Sequence, residues 1–198
     1  MASERKTPKP LAEYRRKRDF RKTAEPRAGG RKGGRIFVVQ LHHASHRHYD
    51  FRLEWKGVLK SWALPKGPSF DPAVKRLAVE VEDHPISYAG FEGLIPEGSY
   101  GAGHVAIFDE GVWQPDGDAS EGFERGELKF ELQGHNMRGA WVLVRTRRVG
   151  SRQQWLLIKL RDRYASRREA DDLVVAAKPE STRKPARKHV TRERSPKR

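Results

Sequence analysis

The chain has 198 residues, with 41 Lys/Arg against 26 Asp/Glu, a formal net charge of +15 and no cysteine. Disulfides and thiolate metal sites are therefore excluded, and no apolar run approaches the roughly 20 residues that span a bilayer. An apolar class of only 36% predicts a compact middle with unstructured flanks.

The flanks are marked by charge. Residues 1–35 hold 13 Lys/Arg against 4 Asp/Glu and residues 178–198 hold 9 against 2, leaving 19 against 20 between them. Basic arms on a near-neutral body suit a polyanion, because each Lys or Arg that meets a phosphate releases counterions. No amphipathic stripe accompanies them, which favours nucleic acid over a membrane surface. The charged N-terminus has no apolar stretch behind it, so a secretory signal is not expected and a cytoplasmic protein is.

In chain order, Thr7-Pro8 followed by Leu11, Tyr14 and basic residues through Phe20 predicts a short helix, and residues 24–34 read as a Gly-rich linker. Strands are expected at Ile36–Leu41, at His46–Trp55, and at Val58–Leu64 after a turn at Gly57. A loop at Pro65–Pro68 leads to a strand at Arg76–Glu82, and a Gly-rich loop at Glu97–Gly103 leads to one at His104–Phe108. Glu127–Leu132 is the next strand, and Ala140–Arg147 and Gln154–Leu160 form a hairpin across Val149–Arg152. Residues 164–177 predict a short helix, and the tail beyond Lys178 is expected to be disordered. So many short, evenly spaced strands predict a mainly β fold, a small barrel or sandwich, with minor helices and basic tails. The expected division is an arm at 1–35, a barrel domain at 36–165 and a tail at 166–198.

Chemistry concentrates in LHHASHRHYDFRLEW, Leu41 to Trp55. Strand alternation sends His46, His48, Asp50, Arg52 and Glu54 one way and Tyr49, Phe51, Leu53 and Trp55 the other. His48 and Asp50 then lie roughly 7 Å apart on one face, and His42 or His43 from the preceding strand could complete a site for a divalent transition metal. The bland alternative is a solvated face of an amphipathic strand. A second polar face, Arg76, Ala78, Glu80, Glu82 and His84, continues through Pro85 to Tyr88. If both faces line one cleft, Arg52 and Arg76 offer fixed donors for phosphate oxygens. His84 and Tyr88 would then transfer protons or orient phosphate, with Glu82 orienting a neighbouring His or Arg. Gly98–Gly103 reads as a strand-connecting turn, because it lacks the Lys-Ser/Thr of a P-loop. His104 and His135 are isolated, and Trp62, Trp113, Trp141 and Trp155 read as packing.

The runs HHASHRHYDFRLE, LKSWALPKGPS, KRLAVEVEDHPISYAGFEGLIPEGSYGAGHV and WLLIK resemble the 3′-phosphoesterase domain of bacterial DNA ligase D, as does KRDFRKTAEP in the N-terminal arm. The likeness covers roughly residues 9–165. It implies a β-barrel-based fold and a Mn²⁺ site, with Co²⁺ or Zn²⁺ as other candidates, held by His42, His48 and Asp50, and so decides for His42 over His43. It implies phosphate-contacting and catalytic roles for Arg52, Arg76, His84 and Tyr88, with Lys66 and Glu82 in support, and a site-shaping role for Arg18, Asp19 and Glu25. The implied activity is removal of a terminal 3′ ribonucleoside and then the 3′ phosphate from DNA or RNA-tailed primer–template ends. A monomeric, nucleoid-associated bacterial or archaeal protein is expected. Leu41 departs from the pattern, standing where a basic residue is expected. The polymerase and ligase modules do not lie in these residues, so a ligase, polymerase or end-binding partner is expected to be separate or to have been cut away. The rival readings are a decayed site on a nucleic-acid-binding repair scaffold, and a general metal-dependent phosphodiesterase acting on small nucleotides.

Overall fold

Bulky apolar groups at Phe37, Val39 and Leu41, and again at Tyr49, Phe51 and Leu53, give two strands with one face that must leave water. In a computed structural model that describes residues 11–29 and 34–176, they are β1 (Ile36–His43) and β2 (His48–Trp55), paired antiparallel from Phe37/Leu53 to His42/His48. The chain continues through β3 (Val58–Leu64), β4 (Lys75–His84), β5 (Gly93–Ile95), β6 (Gly103–Pro115), β7 (Glu127–Gly134), β8 (Arg138–Val149) and β9 (Arg152–Lys159). Their order, β1-β2-β3-β4-β9-β8-β7-β6, closes on itself because β6 also pairs with β1. The result is an eight-stranded antiparallel barrel, and β5 adds to the first residues of β6.

The barrel interior is aromatic. Phe51 stacks on Phe130 at 6.1 Å, Trp113 meets Phe130 edge-on, and Trp62 meets Trp155 edge-on at 6.0 Å. Trp62, Trp113, Trp141 and Trp155 are all buried, as expected of packing residues. Among the described residues three short α-helices accompany the barrel, α1 (Ala12–Arg16), α2 (Ala119–Arg125) and α3 (Ala170–Ala176), with a 3-10 turn at Ile86–Gly90. Helix α2 brings Phe123 against Trp55 and Trp62 at one end of the interior. Asp118 caps it by accepting from the Ser120 and Glu121 N–H groups, and Gly126 ends it at φ 80. At the other end, buried Ala170 of α3 donates its N–H to the Pro68 carbonyl, while Leu173 and Val174 pack on the core.

Several expectations shift. Strand β2 begins at His48, β6 runs on to Pro115, and β5 and α2 were not anticipated. The last helix occupies 170–176 rather than all of 164–177. The expected helix start at Thr7-Pro8 and the tail beyond Lys178 lie outside the described residues. Among the described residues no helix is long and apolar enough to cross a membrane.

A second apolar cluster, Tyr14, Leu59, Tyr88, Phe91, Ile95 and Val105, lies on the outside of the barrel wall. It fastens residues 11–29 against β4 and the turn around Tyr88, and the candidate site lies beneath it.

Candidate active site

The outward face of β2 carries Asp50, Arg52 and Glu54, in the alternation expected, but it is not solvated. Arg52 is 2% exposed and Asp50 8%. Charged groups so buried need partners, and each has them. Glu54 accepts from the Gly34 and Ile36 N–H groups. His46, expected on the same face, sits exposed in the bend before the strand, and its carbonyl accepts from His48 Nδ1 at 2.8 Å. That bond fixes the proton on Nδ1 and leaves the lone pair of Nε2 facing inward.

His42, His48 and Asp50 come together, each offering an atom within 4.8 Å of the others. His48 Nε2 is 3.8 Å from one Asp50 oxygen and His42 Nδ1 3.7 Å from the other. His42 Nε2 is buried without a hydrogen-bond partner. Burial pushes the Asp50 pKa up, but the Arg52 guanidinium and the two imidazoles pull harder, so it ends well below the usual carboxylate range. Two imidazoles and a permanently ionised carboxylate, with an orphaned ring nitrogen among them, fit a divalent transition-metal ion. His43 is exposed and, among the described residues, belongs to no such group.

Behind this set Arg52 is held on three sides. Its Nε donates to Gln40 Oε1 at 2.9 Å and its Nη2 to Asp50 at 3.1 Å, while Nη1 lies 3.0 Å from His84 Nδ1. Gln40 is itself fixed, donating to the Tyr88 and Phe91 carbonyls. The guanidinium also lies 4.8 Å from the centre of the Tyr88 ring. His84 lies between two donor-only guanidiniums, with Arg18 Nη2 3.2 Å from Nε2 and Arg52 Nη1 3.0 Å from Nδ1, and Nδ1 also lies 2.8 Å from the Glu82 carbonyl. Burial, then the Arg52 and Arg18 cations, push the His84 pKa well below the ordinary imidazole value. Burial likewise raises the Tyr88 pKa and keeps its phenol protonated.

The arm supplies Arg18, whose guanidinium is clamped between two carboxylates. Its Nε meets Glu25 at 2.8 Å and its Nη1 meets Glu82 at 3.0 Å, above the Tyr14 ring at 3.9 Å. Tyr14 folds the arm back by donating its hydroxyl to the Pro26 carbonyl. Lys17 reaches Glu82 at 3.0 Å and Tyr100 at 3.4 Å. Burial raises the Glu82 pKa, and the Lys17 and Arg18 bonds outweigh it, leaving Glu82 ionised.

Strand β4 does not behave as a uniform alternation. Ser61 pairs with Val81 but Leu59 with His84, so Glu82 and Asp83 together oppose Lys60 in a β-bulge. Val79, Val81, Glu82 and His84 therefore face the cleft, and Asp83 turns to Lys60 at 2.8 Å. Before the bulge, Arg76, Ala78 and Glu80 share the face of Trp62, toward the interior. Arg76 is thus not brought to the site, and its guanidinium binds Glu169 instead. Lys66 is exposed just beyond Pro65, which does line the cleft, and Asp19 is turned to Arg21 on the arm's outer side. Leu41 packs into the barrel core, which gives its departure from the expected basic residue a local reason.

The cleft measures about 450 Å³. The sequence reading overlooked Tyr100 and Gly101, from the Gly-rich turn, and Arg152, from the β8–β9 hairpin, all of which line it. Gly101 stands at φ 75, and a Cβ there would lie 3.7 Å from the His42 ring. The signal available was its place in a glycine-rich run that must pass close to something.

Residues 40–145 match the DNA Ligase D 3′-phosphoesterase domain. The chain belongs to this family. It is 54% identical over 179 residues to the multifunctional non-homologous end joining protein LigD of Pseudomonas aeruginosa, covering 87% of this chain and 21% of that protein. Identity to the corresponding proteins of Mycobacterium tuberculosis and Mycolicibacterium smegmatis is 44% over 155 residues and 38% over 171, covering 77% and 80% of this chain. The chain thus spans about a fifth of the length of these relatives, 20% and 22% of the latter two. The matched stretch includes His42, His48, Asp50, Arg52 and His84, while Arg18 and Glu25 precede it.

Proposed function

We propose that this chain is a Mn²⁺-dependent 3′-end-healing phosphoesterase, removing a terminal 3′ ribonucleoside and then the 3′ phosphate from DNA or RNA-tailed ends, so that a 3′-OH remains. The observation that carries this reading is the convergence of the His42/His48/Asp50 group with Arg52 and His84 in one cleft. In strand-break repair its product would pass to a ligase, polymerase or end-binding protein.

His42, His48 and Asp50 would hold the ion, and when bound it supplies Lewis-acid polarisation of a phosphoryl oxygen. Co²⁺ or Zn²⁺ suits the same donors. Arg52 spends two of its five N–H donors on Gln40 and Asp50, and with Nη1 against the His84 ring this fixes the plane in which the remaining donors meet a phosphate oxygen. Tyr88, kept protonated, can donate to the same group. A substrate phosphate offsets the charge of Arg52 and Arg18 and so raises the His84 pKa. His84 is then able to take up a proton and deliver it to the departing ester oxygen. Arg18, Glu25 and Glu82 act by holding the arm and the His84 ring in place. Lys66, Arg76 and Asp19 have no direct part in this scheme.

The test is phosphate release from a 3′-phosphate-ended primer–template duplex with Mn²⁺, Mg²⁺, Zn²⁺ or EDTA, beside Asp50→Ala. Metal-dependent release that the variant lacks is expected. Tight duplex binding with no turnover would favour a repair scaffold instead.

A further inference from the structure

The β8–β9 hairpin carries charge that the site does not use. Val149 pairs with Arg152 across the two-residue turn Gly150-Ser151, in which Gly150 adopts φ 59. The register slips by one residue between Arg145 and Arg148. Arg145 is occupied, donating to the Phe123 and Glu124 carbonyls. Arg147, Arg148 and Arg152 are exposed, and among the described residues none of the three forms an ion pair or a side-chain hydrogen bond. Three like charges gathered at one tip with no counter-charge repel one another, and an anionic partner relieves this.

Their position gives that partner a direction. Arg152 lines the cleft that holds His42, His48 and Asp50. Arg148 and Arg152 line an adjoining groove of about 370 Å³ whose opposite side carries Lys17 and half-exposed Tyr100. Val81, Glu82 and Tyr100 belong to both, so the two hollows are continuous. The acidic groups of the groove are already engaged: Glu13 by Lys17, Glu82 by Lys17 and Arg18, and Glu80 by the Trp155 indole. They leave the arginines uncompensated.

We propose that the β8–β9 hairpin tip is a backbone clamp for nucleic acid, in which Arg147, Arg148 and Arg152 engage phosphates of a duplex whose 3′ end lies in the cleft. The guanidinium fork matches phosphate oxygens, and Tyr100 offers a ring face to a base on the way in. Which end enters rests on the phosphoesterase reading, whereas the contact itself does not.

The experiment measures equilibrium binding of a labelled 3′-phosphate-ended primer–template duplex to the full chain in EDTA, over a series of salt concentrations. The parent is compared with R147A/R148A/R152A and with R147K/R148K/R152K. Each lost phosphate contact lowers the slope of log K against log salt by about 0.9, so the alanine variant should fall short of the parent by about 2 to 3, and the lysine variant should recover it. Equal slopes for parent and alanine variant would overturn the clamp, as would a lysine variant that behaves like alanine. Polyglutamate bound as tightly as the duplex, through the same arginines, would overturn the choice of nucleic acid. Binding is read without turnover, so hairpin-dependent binding by a chain that releases no phosphate would uphold the clamp and remove the enzyme reading. Phosphate release with hairpin-independent binding would do the reverse.

Discussion

Glu25→Ala should open the N-terminal arm without melting the barrel. Glu25 is fully buried, accepts from Arg18 Nε at 2.8 Å and from the Thr23 hydroxyl at 3.0 Å, and faces an Arg18 side chain only 5% exposed. Removing one partner of a buried ion pair costs about 3 to 5 kcal/mol. Glu82 still holds Arg18 Nη1, which puts the expected loss near the lower figure, about 3 kcal/mol. The barrel core and the cluster that fastens the arm share no residue, so the loss falls on arm closure. That is about a 150-fold rise in the open fraction. Trypsin reads it directly, since residues 15–22 hold six Lys/Arg and cleavage of a transiently opened segment tracks its population. Glu25→Gln keeps an acceptor but loses the charge, and an intermediate rise is expected. Cutting in the alanine variant within about threefold of the parent, or barrel melting that falls together with the arm, would refute the reasoning.

His48→Ala should lose divalent-ion binding in calorimetry, while His43→Ala, with its exposed ring, binds like the parent; equal loss from both would mean the ligand set is misassigned. His84 has a folded-state pKa below its unfolded value, so below about pH 6.5 the unfolded chain binds a proton that the folded one does not. Its contribution to stability therefore declines on acidification, by up to about 1.4 kcal/mol per pH unit, until the folded pKa is reached. Urea unfolding at stepped pH should show this slope, and His84→Asn should lack it. Phe130→Ala removes a ring packed between Phe51 and Trp113 and should cost about 3 to 5 kcal/mol in the same assay.

The barrel was legible because β1 is a short apolar run and polar and apolar residues alternate in β2 and β7. The pairing of His48 with Asp50 followed from the same period. The burial of that face was not legible, because its cover comes from residues far away in the chain on both sides, Arg18 upstream and His84 and Tyr88 downstream. Arg76 was grouped with His84 because a two-residue period has no way to register a bulge, and the extra residue at Glu82/Asp83 reverses every side chain beyond it. Helix α2 was missed although its signals were present, with Asp118 as cap, Glu121 three residues on and Gly126 as stop. The choice of His42 over His43 came from the family resemblance alone, since both sit at the end of the same strand.

Strand β2 serves two layers at once, with Phe51 and Leu53 filling the barrel while Asp50 and Arg52 furnish its outer wall. Its reading frame is therefore locked. Deleting or inserting a single residue between His48 and Trp55 would drive a carboxylate and a guanidinium into the aromatic interior and turn the rings outward. This segment can change by substitution but not by length.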